Sequence, residues 1–110
     1  MIRSIALAAL AALLPAFANA GEVFGTVRVA AQPVGEGTQV AAKCGDKAYG
    51  PVSTDRKGAY RLVIAQVGKC TLTITHEGLS ATVDVVSFDD AAQADIVLAV
   101  DGGKLTARRG

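Results

Sequence analysis

From Cys70 to Thr75 the chain reads Cys-Thr-Leu-Thr-Ile-Thr, which puts Cys70, Leu72 and Ile74 on one side of an extended backbone and Thr71, Thr73 and Thr75 on the other. Side chains along a β-strand alternate between two faces, and a strict two-residue period cannot give a helix one apolar side. The segment predicts a strand with one face in a core and one in water, ended by a turn at Glu77-Gly78. The same alternation recurs at Val23, Gly25, Val27 and Val29, at Val40, Ala42 and Cys44, and at Tyr60, Leu62 and Ile64. It returns at Val83 and Val85, and at Ile96, Leu98 and Val100. A short edge-like strand through Tyr49, limited by Pro51, makes the seventh. Gln32 to Gly37, with Pro33, Gly35 and Gly37, predicts a loop; Cys44-Gly45-Asp46-Lys47 predicts a turn, and Ser87 to Ala92 an acidic loop. Seven short strands without a helical period after residue 20 predict a small all-β Greek-key sandwich.

The first 20 residues are of another kind. Arg3 precedes an unbroken apolar run from Ile5 to Leu14, then Pro15 and the small-residue stretch Ala18-Asn19-Ala20. This is the pattern of a cleavable secretory leader, and its apolar core is shorter than the roughly 20 residues a membrane helix needs. The expected organisation is a signal peptide at 1–20, a β-sandwich at 21–100 and a flexible C-terminal tail at 101–110, where Arg108-Arg109-Gly110 falls outside the alternation. No cysteine stands at the cleavage position, and the Ala-rich leader predicts a soluble periplasmic protein, with release outside the cell as the alternative. No membrane span is expected in the mature chain.

Export to an oxidising compartment gives the two cysteines their meaning. Cys44 and Cys70 have one intramolecular pairing open to them, and both fall on the apolar side of their strands, which predicts a structural disulfide. A catalytic thiol would need a base close by. The single histidine, His76, lies six residues beyond Cys70 along one strand, roughly 20 Å away, and is expected as a surface residue at a strand end.

Eleven Lys and Arg against 10 Asp and Glu give a formal charge of +1, which offers no basic footprint for nucleic acid. One histidine and two cysteines that prefer each other cannot assemble a zinc site. The carboxylates of Asp46, Asp55, Asp84, Asp89, Asp90, Asp95 and Asp101 are numerous; Asp89-Asp90 with Asp95 could supply some of a calcium ion's oxygen ligands, which leaves calcium at the acidic loop open, although their spacing matches no calcium loop. No phosphate-binding glycine pattern occurs, since Gly35-Glu36-Gly37 leads into a strand rather than a helix. No cofactor is expected.

Gly25-Thr26-Val27, Gly37-Thr38-Gln39-Val40, the stretch Thr54-Asp55-Arg56-Lys57-Gly58-Ala59-Tyr60-Arg61-Leu62 and the run Val67 to Ile74 follow one another in an order that resembles the carboxypeptidase-regulatory-like domain. That domain is a transthyretin-like, prealbumin-like sandwich close to collagen-adhesin B-type repeats, and the likeness spans about residues 22 to 99. Within the matched stretch, Thr54 and Asp55 can accept backbone N–H groups about two residues on, Gly58 can take positive φ, Tyr60 points toward the sandwich rim and Gly68 serves the next reversal. Cys70 stands where such domains usually place an aromatic residue. The resemblance implies a non-catalytic module that binds a periplasmic or envelope protein. The alternatives are a passive structural or self-assembling domain, with homo-oligomers formed through edge strands, and a weak carbohydrate binder using Tyr49 and Tyr60.

Overall fold

The computed structural model describes residues 21–110, which form ten strands in two sheets. The leader at 1–20 lies outside the described residues. In the first sheet β1 (Gly21–Val29) is central: it pairs antiparallel with β5 (Ala59–Ile64) and the two-residue β2 (Gln32–Pro33), and parallel with β8 (Ala91–Gln93) and β9 (Ile96–Asp101). β10 (Lys104–Arg109) closes that side as a hairpin on β9. The second sheet has the order β4-β3-β6-β7, with β3 at Gln39–Cys44, β4 at Lys47–Ser53, β6 at Gly68–His76 and β7 at Leu79–Ser87.

The inward residues of the two sheets meet as a mainly aliphatic core. Val23, Val27, Val40, Leu62, Ile64, Leu72, Ile74, Ile96 and Leu98 are all fully enclosed, and each such side chain contributes about 1.5–3 kcal/mol relative to exposure. Cys44 and Cys70 share this interior and form the disulfide. Lys43 pairs with Thr71 across β3 and β6, so the next register position sets the two cysteines opposite each other within one sheet, with Cα atoms 4.3 Å apart.

Three strands exceed the seven expected. β2 and β8 are two and three residues long, and β8 exists because Ala91, Ala92 and Gln93 lie beside Glu22, Val23 and Phe24, a pairing that their own side chains do not announce. The acidic loop shrinks accordingly to Phe88–Asp90. β10 corrects the expected tail at 101–110. Asp101-Gly102-Gly103-Lys104 turns the chain, and Leu105 enters the core at 8% exposure while Lys104 and Thr106 face out. One large apolar residue among basic ones is too little to read as a strand in isolation.

Gly58 shows how the central turn depends on glycine. Its φ is 77°, and an added Cβ would lie 2.7 Å from the Val27 carbonyl oxygen. Left-handed backbone alone costs a side-chain-bearing residue about 1–2 kcal/mol, and the contact adds to it. Gly58→Ala is expected to lower unfolding free energy by at least ~1 kcal/mol in urea titration; an unchanged midpoint would contradict this account of the turn.

Candidate functional site

The residues singled out in the central stretch work within turns and the core. The Thr54 hydroxyl donates to the Gly35 carbonyl (2.6 Å) and accepts the Thr38 N–H (3.0 Å), tying two loops together. Asp55 Oδ1 accepts the N–H groups of Lys57 (2.9 Å) and Ala59 (3.0 Å). Gly68 opens β6 with φ 127°.

Tyr60 is buried, and its hydroxyl donates to the Ala94 carbonyl. Ala94 and Asp95 separate β8 from β9, and Asp95 Oδ1 takes the place of a ladder acceptor by receiving the Thr26 N–H at 3.0 Å. Burial pushes the Tyr60 hydroxyl well above the ordinary tyrosine range; Arg109 opposes that shift and Asp95 reinforces it. A raised value favours the neutral hydroxyl in the fold. Its stabilisation is therefore complete below the unfolded value of about 10 and is lost as pH rises from there through the folded value. Thermal melts should weaken above about pH 10, and Tyr60→Phe should flatten part of that fall while costing about 1–3 kcal/mol at neutral pH by stranding the Ala94 carbonyl. An identical alkaline profile in the variant would remove this role.

His76 corrects the expected surface residue. Its side chain is 16% exposed, Nδ1 lies 2.8 Å from Thr38 Oγ1, and Nε2 lies 3.9 Å from Glu77 Oε1. Thr38 sits beside the end of β6 because β3 and β6 run antiparallel with Gln39 opposite Thr75. This end of the sandwich is tied by hydrogen bonds, and neither His76 nor Thr38 lines the clefts described below.

The arrangement with chemical potential lies toward the other end of β6. A cleft of about 530 Å³ opens where β7 approaches β8 and the end of β10. Val23, Val85, Val86, Phe88, Ala92 and Ala94 form its apolar lining, and Lys69, Asp84 and Arg109 bring charge to it. Clefts that are mostly apolar with a few convergent polar groups are where small molecules bind. Thr71 stands opposite Asp84, and Lys69 opposite Val86, which makes Lys69 and Asp84 diagonal neighbours roughly 7–8 Å apart. Among the described residues, none of the three charged groups is in an ion pair. Asp84 Oδ1 receives only a long bond from the Thr71 hydroxyl (3.4 Å), and one Arg109 amine donates to the Gln93 carbonyl at 3.2 Å.

A second hollow, lined by Thr26, Ser53, Asp55, Tyr60, Arg61 and Asp95 among others, is chemically occupied. Asp55 is held by its turn, and Asp95 by Thr26 and Gln93. Among the described residues no three His, Cys, Asp or Glu side chains gather as metal ligands, and no helix is long and apolar enough to cross a membrane.

Nothing in the strand alternation marks Lys69, Asp84 and Arg109 as a group. They come from β6, β7 and β10, the last of which the alternation does not show. The available signal was the charge at Lys69 and Asp84 beside the exposed apolar Val86 on the outer positions of two adjacent strands.

The fold is transthyretin-like. The structure of a 5-hydroxyisourate hydrolase from Klebsiella pneumoniae is similar at a TM-score of 0.60 and 17% identity, over 82% of this chain and 98% of that one. A likeness at this identity is one of fold. No protein-family model matches the chain, and no curated protein matches it. The hydrolase overturns the expected non-catalytic module, together with the envelope-protein-binding, passive structural and carbohydrate-binding versions of it. Those expectations passed from a transthyretin-like sandwich to an absence of catalysis, and the same sandwich carries an enzyme.

Proposed function

We propose that this chain is an exported hydrolase of a small anionic molecule, with the Lys69–Asp84–Arg109 cleft as its active site. The observation that carries the proposal is that Lys69, Asp84 and Arg109, free of ion pairs among the described residues, all border the apolar cleft between β7, β8 and β10. Lys69 and Arg109 suit an anionic substrate group and the negative charge that develops on a carbonyl oxygen under attack. Asp84 is the candidate general base. Its carboxylate takes a proton from water as the oxygen adds to the substrate carbonyl carbon. The bond to the leaving nitrogen or oxygen then breaks, and Asp84 returns the proton to that atom. One water is consumed and Asp84 ends as it began.

The leader pattern supports export to the periplasm, and an N-terminus at Gly21 in periplasmic protein would test that part separately. The Thr54–Leu62 stretch supports kinship of fold with carboxypeptidase-regulatory-like domains, without implying their function. The deciding experiment is proton release by the purified protein in a pH-stat. The first compound to assay is 5-hydroxyisourate, named for the Klebsiella enzyme, followed by carboxylate-bearing esters, lactones and cyclic imides, all of which release a proton on hydrolysis. Turnover of at least one, lowered about 10²–10⁴-fold in Asp84→Asn, is expected. Turnover equal to the buffer rate across the series, in folded protein, would contradict the proposal.

A further inference from the structure

Phe88 is 54% exposed and is the one exposed aromatic side chain among the described residues. Its position is not loose. A Cβ on Gly21 would lie 1.9 Å from the Phe88 carbonyl oxygen, so the first residue of β1 packs directly on the Phe88 backbone in a way that only glycine permits. The ring is thus carried on a fixed backbone beside the cleft that it lines. Gly68 pairs with Ser87, which brings the exposed Val67 to the same corner, and Val86 is exposed there as well.

The lining around β8 contrasts with Phe88, while Val23, Val85 and Val86 complete the apolar wall. Ala92 and Ala94 are the smallest apolar side chains available, and they leave open the space that larger residues would fill. Arg109 provides a planar guanidinium, oriented by its bond to the Gln93 carbonyl and with other N–H groups still available. Planar donors of this kind match the two oxygens of a carboxylate. An exposed ring on a packed backbone, two alanines in the same cleft and a guanidinium together suit a flat apolar body bearing one carboxylate.

Resting on the hydrolase reading above, we infer that the substrate is an aryl or similarly flat cyclic carboxylate, its ring stacked on Phe88 and its carboxylate held by Arg109. Phe88 then determines which anions are accepted, while Asp84 acts on the bond to be broken.

Calorimetric titration of the purified protein with 2-naphthoate, acetate and 2-naphthalenemethanol separates ring from charge. The inference expects 2-naphthoate to bind at least tenfold more tightly than either partial probe. Phe88→Ala should weaken 2-naphthoate about tenfold, as loss of one aromatic contact implies, and leave acetate unchanged; Phe88→Tyr should restore most of the affinity. Arg109→Gln should bring 2-naphthoate to the level of the neutral alcohol. Because Phe88 is exposed, an unchanged thermal midpoint in Phe88→Ala is part of the expected result. Equal affinity for acetate and 2-naphthoate, or no loss in Phe88→Ala, would overturn the inference. Hydrolysis of ring-bearing and ring-free carboxylates at equal rates would overturn it while leaving the hydrolase intact. Tight, Phe88-dependent binding without turnover of any compound would support the ring-binding role and overturn the hydrolase.

Discussion

Replacing Cys44 and Cys70 together with alanine is expected to lower the unfolding free energy by ~3.5 kcal/mol on the chain-entropy treatment of a cross-link. The bond spans a sequence separation of 26 residues and joins β3 to β6, neighbouring strands of one sheet. Without it the unfolded chain regains the conformations that the loop forbids, while the fold loses two interior sulfur side chains from opposed positions. For a domain of this size, ~1 kcal/mol corresponds to about 4–8 °C in melting temperature, so a drop of about 15–25 °C is expected. Thermal melts of oxidised protein and the double variant provide the measurement. A drop of only a few degrees would mean that the aliphatic core stabilises this fold almost unaided, contrary to the expectation that so small a core relies on its cross-link.

Asp84→Asn should reduce kcat by about 10²–10⁴-fold, the usual contribution of a positioned general base. The change keeps the shape of the side chain and removes its ability to take a proton. Asp84 lies on the exposed face of β7, and its side chain takes part in one hydrogen bond among the described residues, from the Thr71 hydroxyl at 3.4 Å, so the fold should survive and KM should move little. Arg109→Gln should instead raise KM, since it removes charge that the substrate meets on binding. This opposite division between kcat and KM marks proton transfer apart from substrate binding. A variant of Asp84 with full kcat would remove it from the chemistry even if the cleft were the binding site.

The sandwich was readable where a strand alternates between core and solvent along its own length. Leu72 and Ile74 against Thr73 and Thr75, or Tyr60 and Leu62 against Arg61 and Val63, carry that period within a few residues. β8 carries no such period, because Ala91, Ala92 and Gln93 are ordered by their parallel partner Glu22–Phe24. β10 was obscured by its basic residues, although Leu105 holds its inner face. Thr38 and His76 meet only because β3 and β6 are paired, and their spacing of 38 residues contains no hint of it. The cleft is less readable still: Lys69 and Asp84 depend on the β6–β7 register, and Arg109 on the β9–β10 hairpin, which its own residues do not announce. Local alternation therefore conveyed the fold, while the site required the tertiary arrangement. The inference against catalysis failed for a different reason, since a fold constrains where side chains can stand without fixing the chemistry they perform.

The proposed chemistry lies at the Lys69–Asp84–Arg109 cleft rather than at the Thr38–His76 end of the sandwich. The most direct measurement is a backbone amide chemical-shift titration of ¹⁵N-labelled protein with the product of whichever compound the pH-stat shows to be hydrolysed. Saturable shifts are expected at Lys69, Asp84 to Phe88, Gln93 and Arg109, with Thr38, His76 and Glu77 unmoved. Shifts concentrated instead at Thr38, His76 and Glu77 would contradict it and would place the chemistry on the single histidine.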